Sequence, residues 1–519
     1  MGKKFSSTVA GGAIIITFFG LLGRVIGIIR EASYANFFGL TQNYDLYLIG
    51  AVIPITINSI IIYLAQNFYI PNFNNLKSHS TEKAEKFKSS VFIGFTLIGL
   101  LIAIFLFSIS DQIINLYIKN NKLEHIEIIL KVLDIYIFTI PFSFSIAILS
   151  AILNADFEFK FPSYSQLYFN LTIIFVVFFY ASSMGIFSIA WGYLIGTIVQ
   201  FLYLYYKTNH TNPFKYGNLR FKEAVSFFSP SFFLIILIET LGQIYPLSDR
   251  LLYGNVDSGG LAALNYAFLI FLIPISVLSL SLSTAILPKL STNLDNYSIE
   301  EKSKNIESFI GVNLLMIVPI TFIIMFYGDI IIKILFERGQ FTPGDSNQTF
   351  NAMRFYAISL IFYSSYAGIN KLVYSSGLIK ELFYVVLSAS LIKLGLNFFL
   401  VRFMKQDGLA LSSSISFLCL FFGTYLVILK NKLIISQLSF SKLLIMNLLN
   451  GIFSYLISKF LFIYIFRPGI IFQVLQIIVF IIVFISLAKI SRQPFLNVYF
   501  DVFKRVININ SYSKRFSWK

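Results

Sequence analysis

Apolar residues run in blocks of about twenty along almost the whole chain, separated by short polar stretches that hold most of its Lys and Arg. Twenty apolar residues in an α-helix, at about 1.5 Å each, cross the roughly 30 Å of hydrocarbon in a bilayer. The period-two alternation of a membrane strand is missing from these blocks. Hydropathy read together with charge and Pro/Gly breaks predicts fourteen helices, near residues 8–29, 44–66, 89–110, 129–153, 165–182, 185–206, 225–248, 261–286, 308–334, 353–376, 379–401, 407–429, 441–463 and 468–489. The expected fold class is an all-α polytopic membrane protein, because a helix satisfies its own backbone hydrogen bonds where no water can.

Composition agrees: of 519 residues, 57% are hydrophobic and only 12% charged. The net charge of +16 could suggest nucleic acid, but its distribution points elsewhere. With Lys3 and Lys4 inside, the loops on that side carry Lys77, Lys83, Lys86, Lys88, Lys160, Lys207, Lys215, Arg220, Lys222, Lys289, Lys302, Lys304, Lys380, Lys430, Lys432 and Lys442, followed by a basic tail over 491–519. The opposite loops hold about half as many, so both termini are expected in the cytoplasm, and no nucleic-acid partner is expected. Cys419 stands alone and His79, His125 and His210 are scattered, which gives no basis for a disulfide within the monomer or a Cys/His metal site. The first apolar block is too long for a cleavable signal. No P-loop, H-E-x-x-H or G-x-S-x-G is present, so neither ATP-driven pumping nor an enzymatic activity is expected.

The two halves echo each other. "IPITINSIIIYLAQNFYIPNF" (53–73) pairs with "IPISVLSLSLSTAILPKLS" (273–291), placing Pro54 against Pro274 and Arg30 against Arg250 at an offset of 220, and "GIFSIAWGYLIG" (185–196) pairs with "GLALSSSISFLC" (408–419). This predicts two pseudo-symmetric six-helix lobes, 1–206 and 225–429, joined by a cytoplasmic linker over 207–224 and followed by two further helices within 430–490. Parallel repeats of this kind are typical of alternating-access carriers, with the solute between the lobes.

Candidate chemistry sits where polar groups interrupt the apolar runs. In the first helix Gly20, Gly23 and Gly27 form a small-residue stripe expected to pack closely, with Arg24 beside it. Arg24 either snorkels to the headgroups or faces a water-filled cavity, and its place beside the stripe favours the cavity. Arg30 and Glu31 fall at the interface, where an ion pair and a substrate contact are both open. Asn58, Gln66 and Asn67 mark the second helix, Glu239, Gln243, Asp249 and Arg250 the seventh, Asn370 and Lys371 the tenth, and Lys393 and Asn397 the eleventh. Isolated amides are commonly interhelical glue, whereas Glu239 and Lys393 cost enough in hydrocarbon to favour a cavity. Arginines in a cavity suit an anionic solute, since the guanidinium fork holds phosphate oxygens without deprotonating.

"GRVIGIIREASYANFFG" (23–39), Asp45 and "IPITINSIIIYLAQNFYIPNF" resemble the opening of the MurJ/MviN family of lipid II flippases, within the multidrug/oligosaccharidyl-lipid/polysaccharide exporter superfamily. Further likeness runs through "SDRLLYGNVDSGGLAALNYAFLIFLIPISVLSLSLSTAILPKLS" (248–291), "ILFERGQFTPGDS" (334–346) and "DGLALSSSISF" (407–417). The resemblance implies a bacterial inner-membrane carrier of a polyprenyl-diphosphate-linked glycan, working among membrane lipids, as a monomer and without a cofactor, for cell-wall biogenesis. It places the family's cationic pair on Arg24 and Arg30, with Glu31 and Asp45 as acidic neighbours; Asn58, Gln66, Asn67 and Arg250, read from the polar breaks themselves, are further candidate substrate contacts. The family's sodium site falls on Asp249, Lys393 and Asn397, where an ammonium could act as a tethered cation. Sodium, a proton and the membrane potential all remain open as the driving force.

The chain also departs from the family pattern. Asn58 and Ser59 stand where arginines are common, and Phe268, Leu269 and Leu272 stand where the eighth helix usually carries an acid, an arginine and a second acid. These losses leave room for a different cargo, an O-antigen, capsule or exopolysaccharide unit. A rival of another class is a non-transporting scaffold that recruits glycan-synthesis enzymes through the basic tail.

Overall fold

A computed structural model describes residues 9–117, 123–208, 230–279, 299–433, 438–463, 469–493 and 495–496. Its helices are α1 (Val9–Phe38), α2 (Gln42–His79), α3 (Thr81–Ser108), α4 (Ser110–Tyr117), α5 (Leu123–Ile137), α6 (Thr139–Ala155), α7 (Lys160–Met184), α8 (Phe187–Thr208), α9 (Pro230–Gly242), α10 (Ile244–Leu251), α11 (Gly260–Pro274), α12 (Ile299–Phe336), α13 (Pro343–Ser375), α14 (Ile379–Lys430), α15 (Leu438–Ile463) and α16 (Ile470–Ile490). A 3₁₀ turn over Tyr253–Asn255 precedes α11 and a π-helical turn over Ile275–Ser279 extends it. Every predicted segment lies on helix, the chain is all-α among the described residues, and ten helices there are long and apolar enough to cross a membrane. Residues 225–229 and 280–286 of two predicted helices, most of the linker, most of the tail and the later part of the 273–291 repeat lie outside the described residues.

Where boundaries differ, the cause is local. Hydropathy ends the second helix at 66, yet α2 continues to His79, because helical hydrogen bonding persists in water once a bilayer-length segment has nucleated it. Ser80 then stops it and caps α3, accepting from the Lys83 N–H at 3.4 Å. The predicted helix over 129–153 is two helices, broken at Phe138, with the Thr139 hydroxyl donating to the Tyr136 carbonyl at 2.6 Å and Pro141 in the first turn of α6, where its missing N–H is harmless. The predicted helices over 379–401 and 407–429 merge into α14, bent at Lys405, whose backbone turns to φ 50°. A non-glycine residue there costs about 1–2 kcal/mol. The Lys405 ammonium meets the Asp257 carboxylate at 2.5 Å, and its hydrogen bond holds the Asp257 carboxyl below the usual carboxylate range.

The chain divides into two compact units. The first comprises Met1–Ala263, Leu335–Gln348 and Leu394–Leu409, and the second Leu264–Ile334, Thr349–Lys393 and Ala410–Lys519. In the first, α2 packs on α5 and α6, and α7 packs on α1 and α8. Gly192 and Gly196 of α8 let it approach the backbone of α7 at Ile173 and Phe169. The predicted packing stripe on α1 behaves differently: Gly20 and Gly27 have nothing within 4 Å of a built Cβ and Gly23 meets only Leu167 at 4.0 Å. That stripe borders open space.

The second unit carries a block of stacked rings. Phe271 lies 5.7 Å from Phe417 at 7°, Phe417 lies 4.2 Å from Tyr363, and Phe268 lies 5.3 Å from Tyr356. Phe268 therefore stands in apolar core where the family resemblance led one to look for charge. α15 and α16 pack on α12, with Tyr327 hydrogen-bonded to Ser458 at 3.1 Å and Phe322 lying 6.2 Å from Phe480.

Gly259, at φ +75°, is pressed against the Leu40 carbonyl oxygen. Gly259→Ala adds a clash to the cost of about 1–2 kcal/mol for a left-handed residue. Gly185, at φ +56° with nothing near its Cβ, carries only the second cost. Thermal unfolding in detergent should therefore show a clearly larger loss of Tm for Gly259→Ala than for Gly185→Ala.

Candidate functional site

Two hollows open in the first unit, on adjoining stretches of α2. One, of about 560 Å³, is bounded on α1 by Phe19, Gly20, Gly23 and Arg24, on α2 by Gln66 and Ile70, and beyond these by Asn154, Phe159, Pro162, Ser163, Gln166 and Asn170. The glycines make the space: with no side chains beside it, the exposed Arg24 has room on the wall of the hollow, and among the described residues it is the one cation lining either hollow. The other hollow, of about 730 Å³, is bounded by Ser59, Ile62, Tyr63, Gln66, Asn67, Ile70 and Pro71 of α2, Glu239 of α9, and Gln243 just beyond it. The α2 positions recur at i, i+3, i+4, i+7, i+8, i+11 and i+12, a single face of one helix. Twelve residues of rise give that face a length of about 18 Å. Gln66 and Ile70 belong to both hollows, so the two meet along α2.

Of the residues singled out from sequence, Arg24, Gln66 and Asn67 reach this chamber, although Asn67 also donates its amide to the Tyr63 carbonyl at 2.9 Å. Glu239 and Gln243, read as polar interruptions of the seventh helix, line it too. Arg30 does not. Its guanidinium donates to the Glu31 carboxylate at 2.6 Å and to the Asn170 side-chain oxygen at 2.9 Å, and lies 5.8 Å from the centre of the Tyr34 ring. Both ends of that ion pair are largely buried, so Arg30 and Glu31 hold α1 to α7 just behind the chamber wall, through Asn170, which itself lines it. Asn58 is turned away: buried, it donates to the Thr139 hydroxyl of α6 at 3.2 Å.

Asp45 lies in neither hollow. It is fully buried, and each carboxylate oxygen accepts one backbone N–H at 2.7 Å, from Gly259 and from Ala262. These are orphan donors at the start of α11, and a carboxylate there satisfies them and opposes the helix dipole. A latch surrounds it. The Gln340 N–H donates to the Asn36 carbonyl at 2.9 Å, Gln42 donates to the Tyr253 hydroxyl at 3.1 Å, and Gly39 and Gly339 permit close backbone approach. The α1–α2 corner is thereby tied to the segments beginning α11 and α13.

Asp249, Asn397 and Arg250 are likewise engaged within the protein. Asn397 donates its buried amide to Asp249 at 2.9 Å and to the Ser248 hydroxyl at 3.0 Å, and Arg250 donates back to the Pro246 carbonyl at 3.1 Å. Lys393, in the second unit, is fully buried and donates to the Ser412 hydroxyl at 3.1 Å. A sodium ion needs oxygen lone pairs. Asp249 and the side-chain oxygen of Asn397 have such lone pairs, whereas the ammonium of Lys393 has none to give.

Sequence reasoning missed Asn154, Ser163, Gln166 and Asn170. Single small polar residues in apolar helices carry no sign of which face is wet, and the wet face here exists because α1 is glycine-rich opposite them.

A body that is all helix among the described residues, with ten helices of membrane-crossing length and a guanidinium on the wall of a hollow, has the features of a membrane carrier. Comparison with known proteins agrees. A solved lipid II flippase MurJ in an inward closed conformation superposes with a TM-score of 0.79 over 92% of this chain and 98% of its own, at 24% identity. An inward-facing multidrug resistance transporter of the multidrug and toxin extrusion family shares the fold with a TM-score of 0.62 over 79% of this chain and 94% of its own, at 12% identity. Among curated proteins, the probable lipid II flippase MurJ of Borreliella burgdorferi is 25% identical over 83% of this chain and 84% of its own length, and the lipid II flippase MurJ of Thermosipho africanus is 26% identical over 78% and 81%. The family model for the lipid II flippase MurJ matches residues 34–492, and the chain belongs to that family.

Proposed function

We propose that this chain moves lipid II, a polyprenyl-diphosphate-linked glycan, from the inner to the outer leaflet of a bacterial cytoplasmic membrane by alternating access, with both termini in the cytoplasm. The observation that carries this reading is Arg24 on the wall of a chamber whose other polar groups are amides, hydroxyls and a single acid, set among apolar side chains such as Ile62, Ile70 and Phe159. A diphosphate cannot enter hydrocarbon unaided, and a guanidinium beside water lowers that barrier while the prenyl tail stays in lipid. With a cytoplasmic N-terminus, the latch around Asp45 lies at the outer face and the chamber is reached from the inner one. Expression in a strain depleted of its own lipid II flippase tests the reading. Restored growth is the expected result, and failure despite normal membrane insertion would assign the chain to another lipid-linked glycan, a reading that the ring block around Phe268 favours because it replaces charges the family commonly carries.

We propose further that transport does not depend on bound sodium, the buried ammonium of Lys393 standing in as a tethered cation. In reconstituted vesicles, replacing Na⁺ by K⁺ should leave the transport rate unchanged within about twofold, a difference of about 0.4 kcal/mol in barrier. A strict sodium requirement would contradict this.

A further inference from the structure

The larger hollow carries a carboxylate that the diphosphate does not need. Glu239 projects from α9 onto the polar face of α2, where Tyr63 hydrogen-bonds to it, and Gln66, Asn67, Gln243 and Ser59 complete the polar lining. No cation among the described residues forms an ion pair with it, whereas most other ion pairs in the molecule join a carboxylate to a neighbouring Lys or Arg. A carboxylate half-removed from water is costly unless it is hydrogen-bonded, protonated or met by a positive charge; Tyr63 supplies one hydrogen bond and leaves acceptor capacity over. Arg24 lines the adjoining hollow, and in the lipid II reading it is taken up by the phosphates.

We propose that Glu239 is a specificity-determining residue that binds a primary ammonium on the headgroup of the cargo, so that the chamber reads a zwitterion: phosphate at Arg24, sugar hydroxyls along Gln66 and Asn67, ammonium at Glu239. The inference rests on the lipid II reading and deepens it. The chemistry selects the ammonium over other cations on three counts. A carboxylate with one hydroxyl and several amide neighbours offers acceptors to three N–H donors at once. The site has too few oxygens of formal negative charge for a divalent ion. Its hollow shares Gln66 and Ile70 of α2 with the hollow that holds Arg24, so one headgroup lying along α2 can reach both.

The test uses full-length protein in nanodiscs and two probes: lipid II with lysine at the third position of its stem peptide, and the same molecule with that lysine Nε-acetylated. Wild type should bind the free amine about tenfold more tightly, the effect of one charge-assisted contact of about 1.4 kcal/mol. Glu239→Gln should bind both probes within about twofold of each other, and the acetylated probe as well as wild type does, which also shows that the variant is folded. Equal affinity of wild type for the two probes overturns the proposal without touching the lipid II reading, and so does a preference that survives in Glu239→Gln. Failure of wild type to bind either probe overturns both.

Discussion

Arg24→Ala should abolish lipid II transport, lowering the rate in reconstituted vesicles at least about a hundredfold, while expression level and Tm stay at wild-type values. Arg24 makes no ion pair among the described residues and lies exposed on the chamber wall, so its removal takes no support from the fold. What it takes is the partner of a diphosphate in transit. Charge-assisted hydrogen bonds contribute about 1.5–3 kcal/mol each, and a guanidinium can make two to one phosphate, which places the loss at about 3–6 kcal/mol, or 10²–10⁴ in rate. Arg24→Lys keeps the charge and loses the fork, so it should fall between the two. Transport at the wild-type rate in Arg24→Ala would return this side chain to the headgroup region.

Asp45→Ala should damage the protein by the opposite route, through the fold. It leaves the N–H groups of Gly259 and Ala262 buried and unpaired at the start of α11, a cost on the order of 3 kcal/mol for two donors. The latch formed by the α1–α2 corner would loosen with it. The expected results are a marked fall in Tm, and cysteines placed at Gln42 and Tyr253 that cross-link efficiently in an otherwise wild-type chain but poorly in the Asp45→Ala variant. Asp45→Asn, which keeps one acceptor, should lose about half as much stability. If Asp45→Ala leaves Tm unchanged and removes only lipid II binding, Asp45 is a substrate contact and the latch reading is wrong.

Arg24 and Asp45 also mark how far the sequence can be read. Apolar blocks of bilayer length made the membrane-crossing helices legible, because hydrocarbon thickness sets their minimum length, whereas the short α4 (Ser110–Tyr117) was not. Ends and breaks were less so: the extension of α2 to His79 and the bend at Lys405 depend on capping and on an ion pair with Asp257, contacts that local hydropathy does not encode. For the candidate site, the expense of a guanidinium in an apolar helix pointed to Arg24, and the same argument pointed to Glu239. It left Arg30, Glu31 and Asn58 open between a protein partner and the substrate, and Asp45 entered only through the family resemblance. A charge or amide buried against a protein partner looks the same in sequence as one facing water, and these four have such partners in Asn170, each other, the start of α11, and Thr139. The glycines of α1 show the same ambiguity: small residues let helices touch or leave a gap, and here they leave the gap.

The most direct measurement is the water accessibility of position 24 itself. In a Cys419→Ser background, Arg24→Cys should react rapidly with a charged, membrane-impermeant thiol reagent supplied from the cytoplasmic side. A cysteine there that resists the charged reagent and reacts only with a lipid-soluble one would contradict the account.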